Sequence, residues 1–382
     1  VTVAHELEHR GRLEAVGGAA YLSHLVTTVP TSVHIEHYAQ IVHRTSVMRR
    51  LIDAAAQIEA IGYEASPEVE AALGKAEDIL FHLRQGQRRR DFVSLRDLLN
   101  RYLDETQVRL FEGNVIHTGF SAIDDLLGGL RPSDMIVLAA RPGLGKTSLA
   151  LSVARNAAVQ QKAHVAIFSL EMSRDQLVHR LLSSEAGVDS KRLRLAEQTE
   201  AEERRIMEAM GVLSEAAIFV DDSPNLRMVE MKSKARRLHQ DQGVNLIIVD
   251  YLQLIRGDIR DNRVQEVTEI SRSLKELARE LDVPVLAVSQ LSRAPMTRGG
   301  VHRPQLSDLR ESGAIEQDAD IVMFIHAVTE EEWKNINPGE AYPKGIVDIM
   351  VEKHRNGPVG TVNLRFRAKT VKFENWASEV LV

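Results

Sequence analysis

The stretch ARPGLGKTSL, residues 140–149, sets two glycines and a lysine between the apolar run MIVLAA and the segment LALSVA. Gly143 and Gly145 let the backbone enter conformations closed to other residues, so that several successive N–H groups converge on one anion. A helix starting at Lys146 adds partial positive charge at its end, and the Lys146 ammonium adds a full one. The Thr147 hydroxyl can complete the shell of a magnesium ion. The pattern is that of a P-loop, with Arg141, Pro142, Gly143, Leu144, Gly145, Lys146, Thr147 and Ser148 forming the phosphate cradle. It departs from the strict motif at Ala140, which replaces the first glycine and is expected to fit the tight turn.

A triphosphate hydrolase of this kind needs a carboxylate at the end of a buried strand to hold the metal. NLIIVD supplies it, because four apolar residues deliver Asp250 to the carboxyl edge of a sheet, where ligands of open α/β sheets collect. It also needs a group that orients and deprotonates water. Glu171, in FSLEMS, would sit beside the phosphates if its strand adjoins that of the P-loop; it reads equally well as a first-turn glutamate that favours the dipole of the next helix. Gln290, closing VPVLAVSQ, has the right place to hydrogen-bond a γ-phosphate, although a glutamine at a strand end is otherwise unremarkable.

The elements that must position these groups follow from pattern. Apolar runs at 135–140, 165–170, 217–220, 246–249, 283–288 and 321–325, most of them separated by helical stretches, predict a mostly parallel sheet with helices on both faces. Residues 345–366 predict two antiparallel strands around a turn at Asn356, Gly357 and Pro358. The predicted fold is therefore α/β of the P-loop type from residue 113 to 382, with an antiparallel carboxyl-terminal extension. Residues 1–83 carry helical periodicity and no strand signal: Tyr38, Ile41, Val42, Met48, Leu51, Ile52, Ala55 and Ile58 recur at three- and four-residue steps along one helix, Pro30 ends a shorter one, and Ser66 and Pro67 open another. Between the two lies a segment, 84–112, with an arginine-rich linker (RQGQRRRDF) and a helix over SLRDLLNRYL whose capping box runs from Ser94 to Asp97 and whose face of Leu95, Leu98, Leu99 and Tyr102 asks for a partner surface.

Composition bounds the remainder. The 382 residues exceed one ordinary domain, and 44% hydrophobic with 27% charged residues describe a globular chain with a substantial core. No apolar run approaches membrane-spanning length and no secretory leader is visible, so no membrane partner is expected. The absence of cysteine excludes disulfides, thiolate metal sites and a cysteine nucleophile, and fits a cytoplasmic location. A net charge of -6 argues against an all-round basic surface but leaves room for a groove or ring that binds nucleic acid locally. At 4% aromatic residues the chain has too few rings to stack many bases, so a bound strand would be gripped by its phosphates.

The segments ARPGLGKTS, FSLEMS, IIVDYLQLI, VPVLAVSQLSR, SDLRESGAIEQDADIVMFI and EKHRNGPVGTV occur in the order and spacing of the replicative DNA helicases of the bacterial DnaB family. The resemblance covers a RecA-like domain over 113–376, and the helical segments before it also look like that family's. It implies an ATP-driven, magnesium-dependent hexameric ring that encircles single-stranded DNA and moves 5′ to 3′, with primase and a helicase loader as partners. By the same resemblance Lys146 and Thr147 bind phosphate and magnesium, Asp250 holds the metal, Glu171 is the catalytic base and Gln290 senses the γ-phosphate. Lys353 and Arg355, in EKHRNG, match the pair that reaches into the ATP site of the next subunit, with Arg355 as arginine finger; two cations at a turn tip can stabilise charge spreading over the transferred phosphoryl group.

For DNA, Arg310, Glu311 and Gly313 of LRESG match positions that contact the strand's backbone; Arg310 can offer charge and Gly313 a closely approaching N–H, neither of which reads sequence. A helix cap with salt bridges is the alternative account of that stretch, and RGDIRDNR (256–263) is a second candidate loop. The chain opens at Val1 with fewer residues before Gly17 than the family's amino-terminal domain has, so that domain is expected to lack its start. Other activities stay open: a RecA-type recombinase, a clock-type ring ATPase, or a scaffold ring that binds nucleotide without hydrolysis.

Overall fold

The computed structural model describes residues 5, 7, 8, 10–28, 35–64, 69–84, 94–96, 99, 115–257, 263–291, 303–309 and 313–376. The chain divides into two units, Val1–Phe92 and Val93–Val382. In the first unit, helices α1 (Gly18–Thr28), α2 (Ile35–Tyr63) and α3 (Val69–Arg84) form from the periodic segments, and α2 packs on α3. On α2 it is Ala54 that is buried, whereas Ile41, Val42, Met48, Leu51 and Ile52 of the apolar stripe are exposed. The reason is geometric, since α2 has 29 residues and α3 only 16, so one helix cannot cover the whole stripe. The caps at Ser66 and Pro67, the stop at Pro30 and most of 84–112 lie outside the described residues; Leu95 and Leu99, of the segment after the linker, are exposed.

The second unit is built on a nine-stranded sheet: β1 (Met135–Ala140), β2 (Val165–Ser169), β3 (Ile218–Asp221), β4 (Leu246–Asp250), β5 (Val285–Gln290), β6 (Ile321–Ala327), β7 (Ile346–His354), β8 (Gly360–Arg367) and β9 (Lys372–Asn375), in the order β3-β2-β4-β5-β1-β6-β7-β8-β9. From β3 to β6 neighbours are parallel, and from β6 to β9 they are antiparallel. Among the described residues from 115 on, the α-helices are α4 (Ser121–Leu127), α5 (Lys146–Gln160), α6 (Arg174–Ala186), α7 (Ser190–Leu195), α8 (Glu200–Ser214), α9 (Met228–Gln242), α10 (Arg263–Leu281), α11 (Gly313–Asp318) and α12 (Glu330–Ile336). One face of the sheet packs Ile136, Leu138 and Ile248 against Leu149, Val153 and Ala157 of α5. On α10, Ile270, Leu274 and Leu277 are buried, and this helix contacts β1 and β5. A parallel sheet is covered on both faces in this way, which is why β1, β2 and β4 are buried at every position and read as unbroken apolar runs.

Three expectations need correcting. β5 begins at Val285 rather than at 283, because Pro284 has no N–H for the ladder and contributes only its carbonyl, which accepts from Ile247. The carboxyl-terminal extension has a third strand, β9, whose sequence KFEN holds one inward residue, Phe373, and so carries no apolar run. Ala140 is not in the turn at all: it is the last residue of β1, fully buried and paired with Gln290 and Ile325, so its methyl group meets ordinary strand geometry.

Candidate active site

The loop after β1 is shaped by its glycines. Gly143 has φ 83° and Gly145 φ 86°, and Gly145 is the left-handed residue from which α5 starts. A Cβ at Gly143 would meet nothing, but one at Gly145 would stand 3.0 Å from both Phe366 Cζ and Phe373 Cε2. Those two rings, from β8 and β9, lie 4.7 Å apart and form the floor under the loop. Gly145→Ala is therefore expected to lower stability by about 1–3 kcal/mol through left-handed strain and crowding against the rings, read as a lower midpoint of urea unfolding. Pro142 and Gly143 are exposed, Arg141 and Leu144 are half-buried, and Lys146, Thr147 and Ser148 are buried in the first turn of α5.

The sheet register brings the other groups to this edge. Ser169 pairs with Asp250 and Ala140 with Gln290, so the carboxyl ends of β2, β4, β5 and β1 are level. Contrary to the condition under which Glu171 was expected to reach the phosphates, β2 and β1 do not adjoin; β4 and β5 lie between them. Lys146 closes the gap: its Nζ is 3.0 Å from Glu171 Oε2 and 3.7 Å from Asp250 Oδ1, and it sits over the Tyr251 ring at 4.4 Å from the centroid. Glu171 is about half exposed, open to water, whereas Asp250 is only 2% exposed.

Both carboxylate oxygens of Asp250 lack a hydrogen-bond donor. Burial, the largest influence, pushes its pKa up, and Glu171 adds to this; the Lys146 charge and the nearby Thr147 hydroxyl act in the opposite direction. Two buried, unsatisfied oxygens next to a threonine hydroxyl are a hard-oxygen donor set that suits magnesium. Among the described residues no group of three or more His, Cys, Asp or Glu side chains could hold a metal ion.

Since the folded protein favours the protonated acid, Asp250 destabilises the unliganded fold. That penalty grows as pH rises from about 3.9 towards the raised folded value and is complete above it. Asp250→Asn should thus raise the neutral-pH unfolding free energy of the nucleotide-free protein by about 1 kcal/mol, read from urea unfolding, with the gain vanishing near pH 4.

Gln290 ends β5 at the same edge, half-buried. A residue that sequence reasoning passed over, Gln253, holds it: the Gln253 amide donates to Ser289 Oγ (2.8 Å) and to the Gln290 carbonyl (3.2 Å), and its oxygen accepts the Gln290 N–H (3.3 Å). The only sequence signal was a polar residue inside the otherwise apolar YLQLI. Also unforeseen are Tyr251 and the Phe366–Phe373 floor, which lie far from the motif in sequence or carry no chemistry of their own.

Lys353 and Arg355 are elsewhere. β7 runs antiparallel to β6, so its end lies at the opposite edge of the sheet, beside the first residue of β1. The Arg355 N–H donates to the Asp320 carbonyl (2.9 Å) and the Asp320 N–H to the Met135 carbonyl (2.9 Å). With six residues in β1 at roughly 3.3 Å each, the P-loop is some ~20 Å away. Lys353 Nζ donates to the Glu316 carbonyl at 2.5 Å, and burial together with the Arg355 charge holds its pKa below that of an ordinary lysine. Gly313 begins α11 with open space where a Cβ would stand, whereas Arg310 and Glu311 lie outside the described residues, as do 258–262 of the second candidate loop.

Comparison with known proteins bears on the family and the fold. Residues 115–375 match the family model described as DnaB-like helicase C terminal domain, and residues 1–44 that of the DnaB-like helicase N terminal domain. The chain is 44% identical over 380 residues to the replicative DNA helicase DnaB of Geobacillus stearothermophilus, covering 98% of this chain and 82% of that protein. It is also 44% identical, with the same coverage, to the replicative DNA helicase DnaC of Bacillus subtilis (strain 168). Among solved structures, an isolated ATPase domain superposes with a TM-score of 0.67 at 34% identity, covering 75% of this chain and all of that one. A DnaB-like replicative helicase studied for its interactions with primase superposes at 0.66 and 31% identity, covering 97% of this chain and 87% of that one. With a P-loop lysine joined to two carboxylates at the carboxyl edge of a RecA-like sheet, and with matches along nearly its whole length, this chain belongs to the DnaB family of replicative helicases.

Proposed function

We propose that the protein is an ATP-dependent replicative DNA helicase, a subunit of a hexameric ring that moves on single-stranded DNA and separates the strands of a replication fork. The observation that carries the reading is the cluster in which Lys146 meets Asp250 and Glu171 at the mouth of the P-loop. In this reading the N–H groups of 143–148 and the Lys146 ammonium bind the phosphates of ATP, while Thr147 and Asp250 hold Mg²⁺. The metal, when bound, neutralises charge between the β- and γ-phosphates. Glu171 accepts the proton of the attacking water, a role that its exposure and its contact with Lys146 favour. Gln290, fixed by Gln253, hydrogen-bonds the γ-phosphate. Alongside α5 lies a cavity of about 120 Å³ lined by Ser148, Ser152, Asn156, Arg180 and Phe373.

Arg355 and Lys353 cannot serve their own P-loop, which lies at the other end of β1, and this favours their acting on the ATP of an adjoining subunit. Arg310, Glu311 and Gly313 are taken as contacts to the DNA backbone, residues 1–83 as a collar to which primase docks, and 84–112 as a linker; a loader that opens the ring and 5′ to 3′ movement complete the picture. No helix among the described residues is long and apolar enough to cross a membrane, and a cytoplasmic location is part of the proposal. A recombinase, a clock-type ATPase or a non-hydrolysing scaffold is not favoured by relatives that are replicative helicases. A forked-DNA assay with ATP and magnesium tests the reading: strand separation is expected, and phosphate release without separation would return the recombinase or clock alternatives.

A further inference from the structure

Asp320 immediately precedes β6, at the sheet edge away from the P-loop, and is 5% exposed. Its carboxylate is fully engaged. Oδ2 accepts the Met135 N–H at 2.7 Å and the Lys275 ammonium of α10 at 2.5 Å, while Oδ1 accepts from Arg355 Nη1 at 3.3 Å. Its backbone carbonyl takes the Arg355 N–H at 2.9 Å. The guanidinium also donates to the Gln317 carbonyl at the end of α11, where Lys353 Nζ makes its own contacts to the Glu316 and Gln317 carbonyls. Arg355 is thereby held by main chain and side chain of one residue, yet its side chain stays 47% exposed and most of its side-chain N–H groups keep no acceptor among the described residues.

An exposed arginine at a turn tip ordinarily samples many rotamers, and ordering it on arrival at a phosphate costs on the order of 1–2 kcal/mol. A buried carboxylate, itself fixed by β1 and α10, removes that freedom in advance. We propose that Asp320 is a positioning residue for phosphoryl transfer in the neighbouring subunit: it presets Arg355 from within its own subunit, and touches neither nucleotide nor metal. The inference rests on the reading of Arg355 as a residue that acts in trans. It distinguishes Asp320 from a simple structural aspartate, because a structural one would impair the subunit that carries it, whereas a positioning one impairs the site next door.

Asp320→Asn keeps an oxygen for the Met135 N–H and removes the charge that orients the guanidinium. In the full-length protein with single-stranded DNA, ATP hydrolysis is expected to fall about 10- to 100-fold in kcat with KM for ATP little changed. Mixing Asp320→Asn chains with Lys146→Ala chains should restore activity above either alone, since the intact P-loop of the first meets the correctly set Arg355 of the second. Should the single variant fail to fold because Lys275 loses its carboxylate partner and keeps only the Ser133 carbonyl, the double variant Asp320→Asn, Lys275→Met is read in the same way. Wild-type kcat in Asp320→Asn overturns the proposal, as does failure of its mixture to recover while Arg355→Ala mixed with Lys146→Ala does recover. Failure of both mixtures points instead to the trans reading itself, and the role of Asp320 falls with it.

Discussion

Lys146→Ala is expected to lower kcat/KM for ATP by at least about 10³-fold, the equivalent of roughly 4 kcal/mol of transition-state stabilisation. Three effects coincide at this one side chain. The ammonium is the only cation within salt-bridge distance of either Asp250 or Glu171 among the described residues. Its loss leaves two carboxylates facing an incoming polyphosphate without compensation, and a buried, donor-free Asp250 becomes harder to ionise. It also removes the charge that a P-loop lysine places on the β- and γ-phosphates. Phosphate release and ATP binding should therefore both fall, with and without single-stranded DNA. Retained hydrolysis in this variant would remove the P-loop from the reaction and with it the proposed function.

The second large effect has a different signature. Arg355→Ala is expected to leave ATP binding nearly intact while kcat falls about 10³-fold, the lower end of what an arginine finger supplies. Binding survives because Arg355 lies at the far edge of the sheet from its own P-loop, anchored on Asp320 and Gln317. The distinction from Lys146 is thus a separation of kcat from binding, measured by equilibrium titration with an ATP analogue alongside phosphate release. Rings mixed from Arg355→Ala and Lys146→Ala chains should recover part of the activity at interfaces that combine the intact halves. Equal loss of binding and turnover in Arg355→Ala would place the residue in its own site and refute the trans assignment.

Both predictions concern residues whose types were visible in the linear sequence, but the two were legible to different degrees. The glycine loop and the helix after it could be read because their causes are local: a strand that is buried on both faces must be an apolar run, and a left-handed backbone calls for glycine. Asp250 was legible for the same reason, as the polar terminus of an apolar strand. Glu171 was not, since its bond to Lys146 spans two intervening strands that no local pattern orders. That the stripe on α2 is exposed was equally out of reach, because periodicity reports an apolar face and not what covers it.

By itself the sequence determined the apolar strands β1 to β8 to within a few residues, the glycine loop before α5 and the order of the chemical groups along the chain, but not β9, because propensity, periodicity and backbone sterics act over a few residues. Tertiary structure alone decided that β4 and β5 stand between β1 and β2, that Phe366 and Phe373 lie beneath Gly145, that Gln253 holds Gln290, and that Asp320 holds Arg355 at the edge of the sheet opposite the P-loop. Those are contacts between residues tens to hundreds of positions apart, and they follow from how strands are ordered and helices packed, which depends on the burial of whole faces rather than on any single motif.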